Sequence, residues 1–232
     1  TWIKDTYVNM YGETNINAEG AQLEIRLQGG IDGRTESTGL GVYYCMRTLL
    51  NDESFIEKSL FKDKGIAGKT IIVQGFGAVG YWASKFFQQD GAKVIGIIEY
   101  NSAIYNPNGI DVDSAKAYFT QRGTFIGFRG AQEETSLDPT SYMEKECDIL
   151  IPAAKEKAIS QDNCDLLQCK VVLEGANGPT TFRAENALEK RGIIVVPDML
   201  ANGGGVTCSY FEWLKNLDHV APGRMNKKYQ EK

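Results

Sequence analysis

Residues 75–80, Gly75-Phe76-Gly77-Ala78-Val79-Gly80, restrict what this chain can fold into more than any other stretch. They follow Thr70-Ile71-Ile72-Val73-Gln74, a β-branched apolar run of the kind that forms buried parallel strands. After them Val79, Trp82, Ala83, Phe86 and Phe87 recur at helical spacing as far as Asp90. The pattern G-x-G-x-x-G therefore falls on a strand-to-helix turn, where each glycine has a separate task. The first permits the tight turn, the second lets backbone approach a pyrophosphate, and the third lets helix and strand pack closely. Open amides and the dipole at the helix start favour phosphate charge. A second strand, Lys93 to Ile98, runs into Glu99, about twenty residues past the glycines, where an acid grips a ribose diol. A carboxylate there repels a 2′-phosphate, so NAD is expected to bind more readily than NADP. The plain alternative is a tight turn in an α/β protein that binds nothing.

The chain has 232 residues, enough for one large or two small domains with a sizeable core. Its formal net charge of −5 gives no reason to propose a nucleic acid or an anionic membrane as partner. No apolar run approaches the roughly 20 residues that span a bilayer. Cys45, Cys147, Cys164, Cys169 and Cys208 are scattered without zinc-site spacing, and His219 is the only histidine, so the thiols read as buried or inert and no metal is expected. The chain opens at Thr1 inside a helix-like stretch without Met or signal segment, which reads as an internal fragment.

In order, Trp2, Ile3, Thr6, Tyr7 and Met10 share a helical face over residues 1–11, and a Gly-rich irregular connection follows. A long helix opens near Arg34, with Leu40, Tyr43, Tyr44, Leu49 and Leu50 on its apolar side; Thr35 and Ser37 suit its cap. Tyr100 to Gly109 reads as loop, Asp111 or Asp113 as the cap of a helix through Phe119, and residues 121–141 as an excursion. Strands are expected at 148–151, 170–173 and 193–196, with helices at 182–191 and after Gly205. Strand–helix alternation predicts an α/β fold, a Rossmann-like doubly wound and mostly parallel sheet with helices on both faces. Small residues and asparagines cluster after five of the strands, so the loops converge on one crevice, as ligands in such sheets require.

Four blocks, GGIDGRTESTGLGV, VQGFGAVG, EGANGPTT and NGGGVTCSYFEWLKN, resemble the glutamate dehydrogenase family in its hexameric, mitochondrial type, over nearly the whole chain. The resemblance implies that Gly75 to Gly80 hold the pyrophosphate and Glu99 the adenosine ribose. It implies Ala153, Ala154 and Asn177 beside the nicotinamide half, and Thr38 and Asn202 against its amide or nearby substrate. Arg34 and Ser209 would help hold a substrate carboxylate, with Val206 packed on its carbon chain. The bland readings are an Asn177 that satisfies backbone groups, an exposed helical Ser209, and an Arg34 paired with Glu36 or Asp32. The chemistry implied is reversible oxidative deamination of glutamate to 2-oxoglutarate and ammonia, with NAD as cofactor and NADP possible. A homohexamer in the mitochondrial matrix is implied likewise.

The family's catalytic lysine and aspartate fall upstream of Thr1, so no catalytic residue is expected within this chain. Where the family has a TGKP-like turn, residues 21–27 read AQLEIRL. The expected organisation is a linker helix and connection from a substrate domain over 1–33, an NAD-binding domain over 34–217, and an extension over 218–232. The competing reading is a dehydrogenase-derived structural or assembly subunit that at most binds nucleotide.

Overall fold

A computed structural model of the protein describes residues 31–218, together with Thr6 and Met10. Apart from those two positions, the expected helix over 1–11, the connection after it with its 21–27 loop, and the extension beyond 218 lie outside the described residues. The rest divides into two compact units: residues 38–204, which carry the whole sheet, and residues 31–37 with 205–218.

Seven strands form the sheet among the described residues: β1 (Thr70–Gln74), β2 (Lys93–Ile98), β3 (Ala103–Tyr105), β4 (Glu133–Thr135), β5 (Ile149–Pro152), β6 (Val171–Leu173) and β7 (Ile194–Val196). Their order is β4-β3-β2-β1-β5-β6-β7. β2, β1, β5, β6 and β7 run parallel, while β3 and β4 add an antiparallel edge. The chain moves outward from β1 to β2 and then returns to lay β5 on β1's other side, which places the topological switch point at the carboxyl ends of β1 and β5. Over residues 31–218 the helices are α1 (Ser37–Asn51), α2 (Glu53–Lys58), α3 (Ala78–Gln89), α4 (Val112–Arg122), α5 (Phe182–Lys190), α6 (Asp198–Ala201) and α7 (Gly203–Asp218), with 3-10 turns at Pro139–Glu144 and Cys164–Leu166.

Alternation along β1 shows how the core is split. Ile71 and Val73 face a core with Met46 and Leu50 of α1, Phe87 of α3 and Ala115 of α4. Ile72 faces a second core with Met143, Leu150, Val172 and Leu188 of α5. All three β1 residues are fully buried, so neither face of the strand meets water. Each such side chain contributes about 2 kcal/mol by leaving water.

Three parts of the sequence reading are corrected. The 100–109 loop contains β3, and the 121–141 excursion contains β4. Both are three residues long; β3 is apolar but too short to read as a strand, and β4 has Glu133 and Glu134 exposed and carries no apolar signal. Tyr44 does not share the apolar side of α1. Tyr43 is 8% exposed, and its neighbour, about 100° further round the helix, is 50% exposed beside Arg47. Asp111 is the cap of α4, accepting from Ser114 N at 2.8 Å, while Asp113 pairs with Lys85 and Tyr81. The five cysteines are free, and burial pushes the Cys169 thiol up to about 12 and Cys147 well above its ordinary value.

The amino ends of β1, β5 and β6 are tied by Asp148. Its carboxylate accepts from Thr70 N at 2.8 Å and Thr70 Oγ1 at 3.1 Å, and meets Lys170 Nζ at 2.6 Å. Burial alone would raise its pKa; Lys170 and Thr70 outweigh that and hold it below the usual carboxylate range. The stabilisation is therefore present above the unfolded pKa and is lost as pH falls through the lower folded value. Asp148→Asn is expected to cost about 1–3 kcal/mol near neutral pH, with the cost shrinking below about pH 4. Urea midpoints of the two proteins across pH check it.

Candidate functional site

β1 ends at Gln74, and the next residue reverses the chain. Gly75 has φ +88°, a conformation that side chains with a Cβ rarely adopt. Its N–H donates to Ile98 O at 2.7 Å, and a Cβ there would lie 2.8 Å from the backbone of Ala154. Gly80 sits so close beneath Gly75 O that a Cβ has no room, with Val73 Cγ2 at 3.1 Å behind it. Gly77 differs from both: a Cβ would meet nothing within 4 Å. It occupies the N-cap of α3 with no side chain bonded to the helix amides, and Gly77 and Ala78 are exposed. A crowded turn, an open middle and a crowded helix contact thus follow one another along six residues.

Glu99 closes one side of the loop. Its Oε1 accepts from Phe76 N at 2.6 Å and its Oε2 from Tyr100 N at 3.4 Å. Phe76 is 1% exposed and packs edge-on against Tyr81 and Phe125. Its carbonyl accepts from Lys116 Nζ at 2.9 Å, so Phe76 offers no free backbone group toward a ligand. The amides available at the helix start are those of Gly77, Ala78 and Val79.

On the other side, Ala153 N donates to Gln74 O at 2.7 Å, and Gly175 and Ala176 N–H groups both reach Pro152 O. A Cβ on Gly175 would lie 3.0 Å from Ala153 Cβ and 3.3 Å from Val79 Cγ1. The ends of β5 and β6 therefore meet the glycine loop without large side chains between them. Ala154 and Asn177 are exposed there, and Asn202 Nδ2 donates to Asn177 Oδ1 at 2.8 Å. Thr38 lies next to Gly39, where α1 crosses α3 so closely that a Cβ would come within 2.6 Å of Ala83 N.

The structure thus brings Gly75–Gly80, Glu99, Ala153, Ala154, Asn177 and Asn202 to one end of the sheet. Arg34, Val206 and Ser209 belong to the other compact unit. Ser209 is 6% exposed and its Oγ donates to Gly205 O at 3.0 Å, so it is no exposed helical serine. Val206 is exposed. Arg34 Nε is buried without a hydrogen-bond partner among the described residues.

Two functional-looking acids escaped sequence reasoning. Asp198 Oδ2 accepts from Gly178 N at 2.8 Å, and Glu174 Oε2 accepts from Asp198 N at 2.9 Å. Together they hold the 174–178 turn against the end of β7. Burial raises the Glu174 pKa, and the nearby Asp198 carboxylate adds to it. The only available signal was an acid directly after a strand, Pro197-Asp198. Lys116 had none, being one lysine on a helix.

The donor set suits a dinucleotide. The open N-terminus of α3 faces a space that no side chain fills at Gly77, and the carboxylate of Glu99, at the end of β2, is hydrogen-bonded to the loop that leads into α3. Among the described residues no His, Cys, Asp and Glu group of three or more could hold a metal, and no helix is long and apolar enough to cross a membrane.

Comparisons with known proteins agree with this geometry. The Glutamate/Leucine/Phenylalanine/Valine dehydrogenase family matches residues 29–231. The chain is 48% identical over 231 residues to the mitochondrial glutamate dehydrogenase of Dictyostelium discoideum, covering 99% of this chain and 45% of that protein. It is 38% identical over 216 residues to the NADP-specific glutamate dehydrogenase A1 of Halobacterium salinarum, covering 93% of this chain and 48% of the relative. Among solved structures, the hetero-hexameric glutamate dehydrogenase of Thermus thermophilus in its leucine-bound form matches with TM-score 0.78 and 27% identity, over 99% of this chain and 51% of that one. The chain spans about half the length of the curated relatives it matches. On the family match and the site together, the chain belongs to the Glutamate/Leucine/Phenylalanine/Valine dehydrogenase family.

Proposed function

We propose that this chain is the coenzyme-binding portion of an NAD(P)-dependent glutamate dehydrogenase. The observation that carries the reading is the pairing of an open Gly77 at the start of α3 with Glu99, which stands at the end of β2 and is hydrogen-bonded to the glycine loop through Phe76 N. The amides of Gly77, Ala78 and Val79 would take the diphosphate, and Glu99 the adenosine ribose. Ala153, Ala154 and Asn177 would border the nicotinamide half, with Thr38 and Asn202 against its amide. When bound, the nicotinamide ring accepts a hydride from the α-carbon of the amino acid. The residues of this chain bind and orient; they keep the ring end free of bulky side chains, so that the two carbons can approach.

Glutamate as substrate is supported by the names of the relatives, all glutamate dehydrogenases. Arg34 and Ser209 are assigned to a substrate carboxylate and Val206 to its carbon chain by resemblance. A hexamer is supported by the hetero-hexameric relative, and a mitochondrial setting by the Dictyostelium one.

Turnover in the full-length protein tests the reading. NADH formation with glutamate is expected at more than about tenfold the rate with leucine, phenylalanine or valine, because a site built for a charged group rejects apolar analogues. NAD binding without turnover on any of the four would instead indicate a non-catalytic subunit.

A further inference from the structure

We propose that Lys116 is the residue that admits a 2′-phosphate at this site, so that NADP binds despite Glu99; the proposal rests on the nucleotide reading above. Opposite charges converge on a single residue of the glycine loop. Glu99 Oε1 takes the N–H of Phe76 at 2.6 Å, and Lys116 Nζ donates to the C=O of the same residue at 2.9 Å. One residue's N and O are under 4 Å apart, so the carboxylate and the ammonium lie within about 9 Å of each other. A carboxylate alone at the ribose position repels a 2′-phosphate. An ammonium that can swing to the same place reverses the sign of that interaction.

The other nearby cation is already engaged. Lys85 Nζ meets Asp113 at 2.9 and 3.1 Å and Tyr81 Oη at 3.3 Å. Lys116 has no carboxylate partner among the described residues; its one hydrogen bond goes to a neutral carbonyl. Exchanging that carbonyl for a phosphate oxygen gives a stronger, charge-assisted bond. The ammonium is held in readiness over the rings of Phe76 and Tyr81, at 5.7 and 5.4 Å from their centroids. Its backbone is anchored by the Asp111 cap and by the Tyr81–Asp113 hydrogen bond one turn earlier on α4. A flexible four-carbon stem on a fixed helix can move its charge several ångströms without disturbing the loop.

The test compares adenosine 2′,5′-bisphosphate with adenosine 5′-monophosphate by calorimetry on the full-length protein, as wild type, Lys116→Gln and Lys116→Arg. In Lys116→Gln the bisphosphate should weaken about tenfold or more, while the monophosphate stays within about twofold. Lys116→Arg should retain the bisphosphate, and the wild-type preference should fall as salt is raised. Equal weakening of both ligands in Lys116→Gln would mean that the lysine only supports the loop, and would overturn the proposal. So would an unchanged bisphosphate affinity. Wild-type protein that binds neither ligand would sink the nucleotide reading itself; intact monophosphate binding separates the two failures.

Discussion

Gly80→Ala is expected to be the most destabilising single methyl that the glycine loop can receive, at about 3 kcal/mol or more. The added carbon would be driven into Gly75 O and against Val73 Cγ2, and neither can retreat. Gly75 is pinned by its bond to Ile98 O and by Ala154, and Val73 is fully buried in the first core. Overpacking at a position with nowhere to relax stands at the upper end of such costs. Gly77→Ala makes the contrast. Its φ of −75° suits any residue, and its Cβ would meet nothing within 4 Å, so stability should change by under about 1 kcal/mol. Dinucleotide affinity should nonetheless fall more than about tenfold, because the methyl enters the space a diphosphate needs. Urea unfolding and nucleotide titration on the two variants separate a packing glycine from a binding one.

Glu99→Ala is the second large effect, and it falls on affinity. A carboxylate that accepts two ribose hydroxyls is worth about 1.5–3 kcal/mol, so NAD should weaken between about tenfold and a hundredfold. NADP should weaken much less, since losing the carboxylate also removes its repulsion of the 2′-phosphate. The preference should therefore shift toward NADP even as overall affinity drops. Losing the 2.6 Å bond from Phe76 N leaves that amide without its partner, at a further cost of about 1 kcal/mol in stability. Parallel titrations with both dinucleotides read the shift directly.

The parts of the fold that were legible are those where local pattern and tertiary role coincide. β1 is an unbroken apolar run because both its faces are buried, and the same fact makes it readable. Each glycine of the loop met the environment its sequence position implied, because the geometric demands on G-x-G-x-x-G act within six residues. β3 and β4 were not legible. Ala103–Tyr105 is a strand because it pairs antiparallel onto β2, and Glu133–Thr135 because it pairs antiparallel onto β3; nothing in three residues announces either pairing.

The site divides in the same way. Glu99 could be found by its distance along the chain from the glycines. Lys116, 40 residues from Phe76, and Asp198, 20 from Gly178, could not, since only the folded sheet brings them to the loops they hold. Tyr44 failed for a related reason: in a pair of adjacent tyrosines, helical geometry allows one to face the core, and it is Tyr43.

Titration of isotopically labelled protein with NAD, followed through its backbone amide resonances, tests the central claim most directly. Saturable shifts at Gly77, Ala78 and Val79, with Thr70, Asp148 and Lys170 at the opposite ends of the strands unmoved, are the predicted result. Amides at 77–79 that stay in place at millimolar NAD would contradict it.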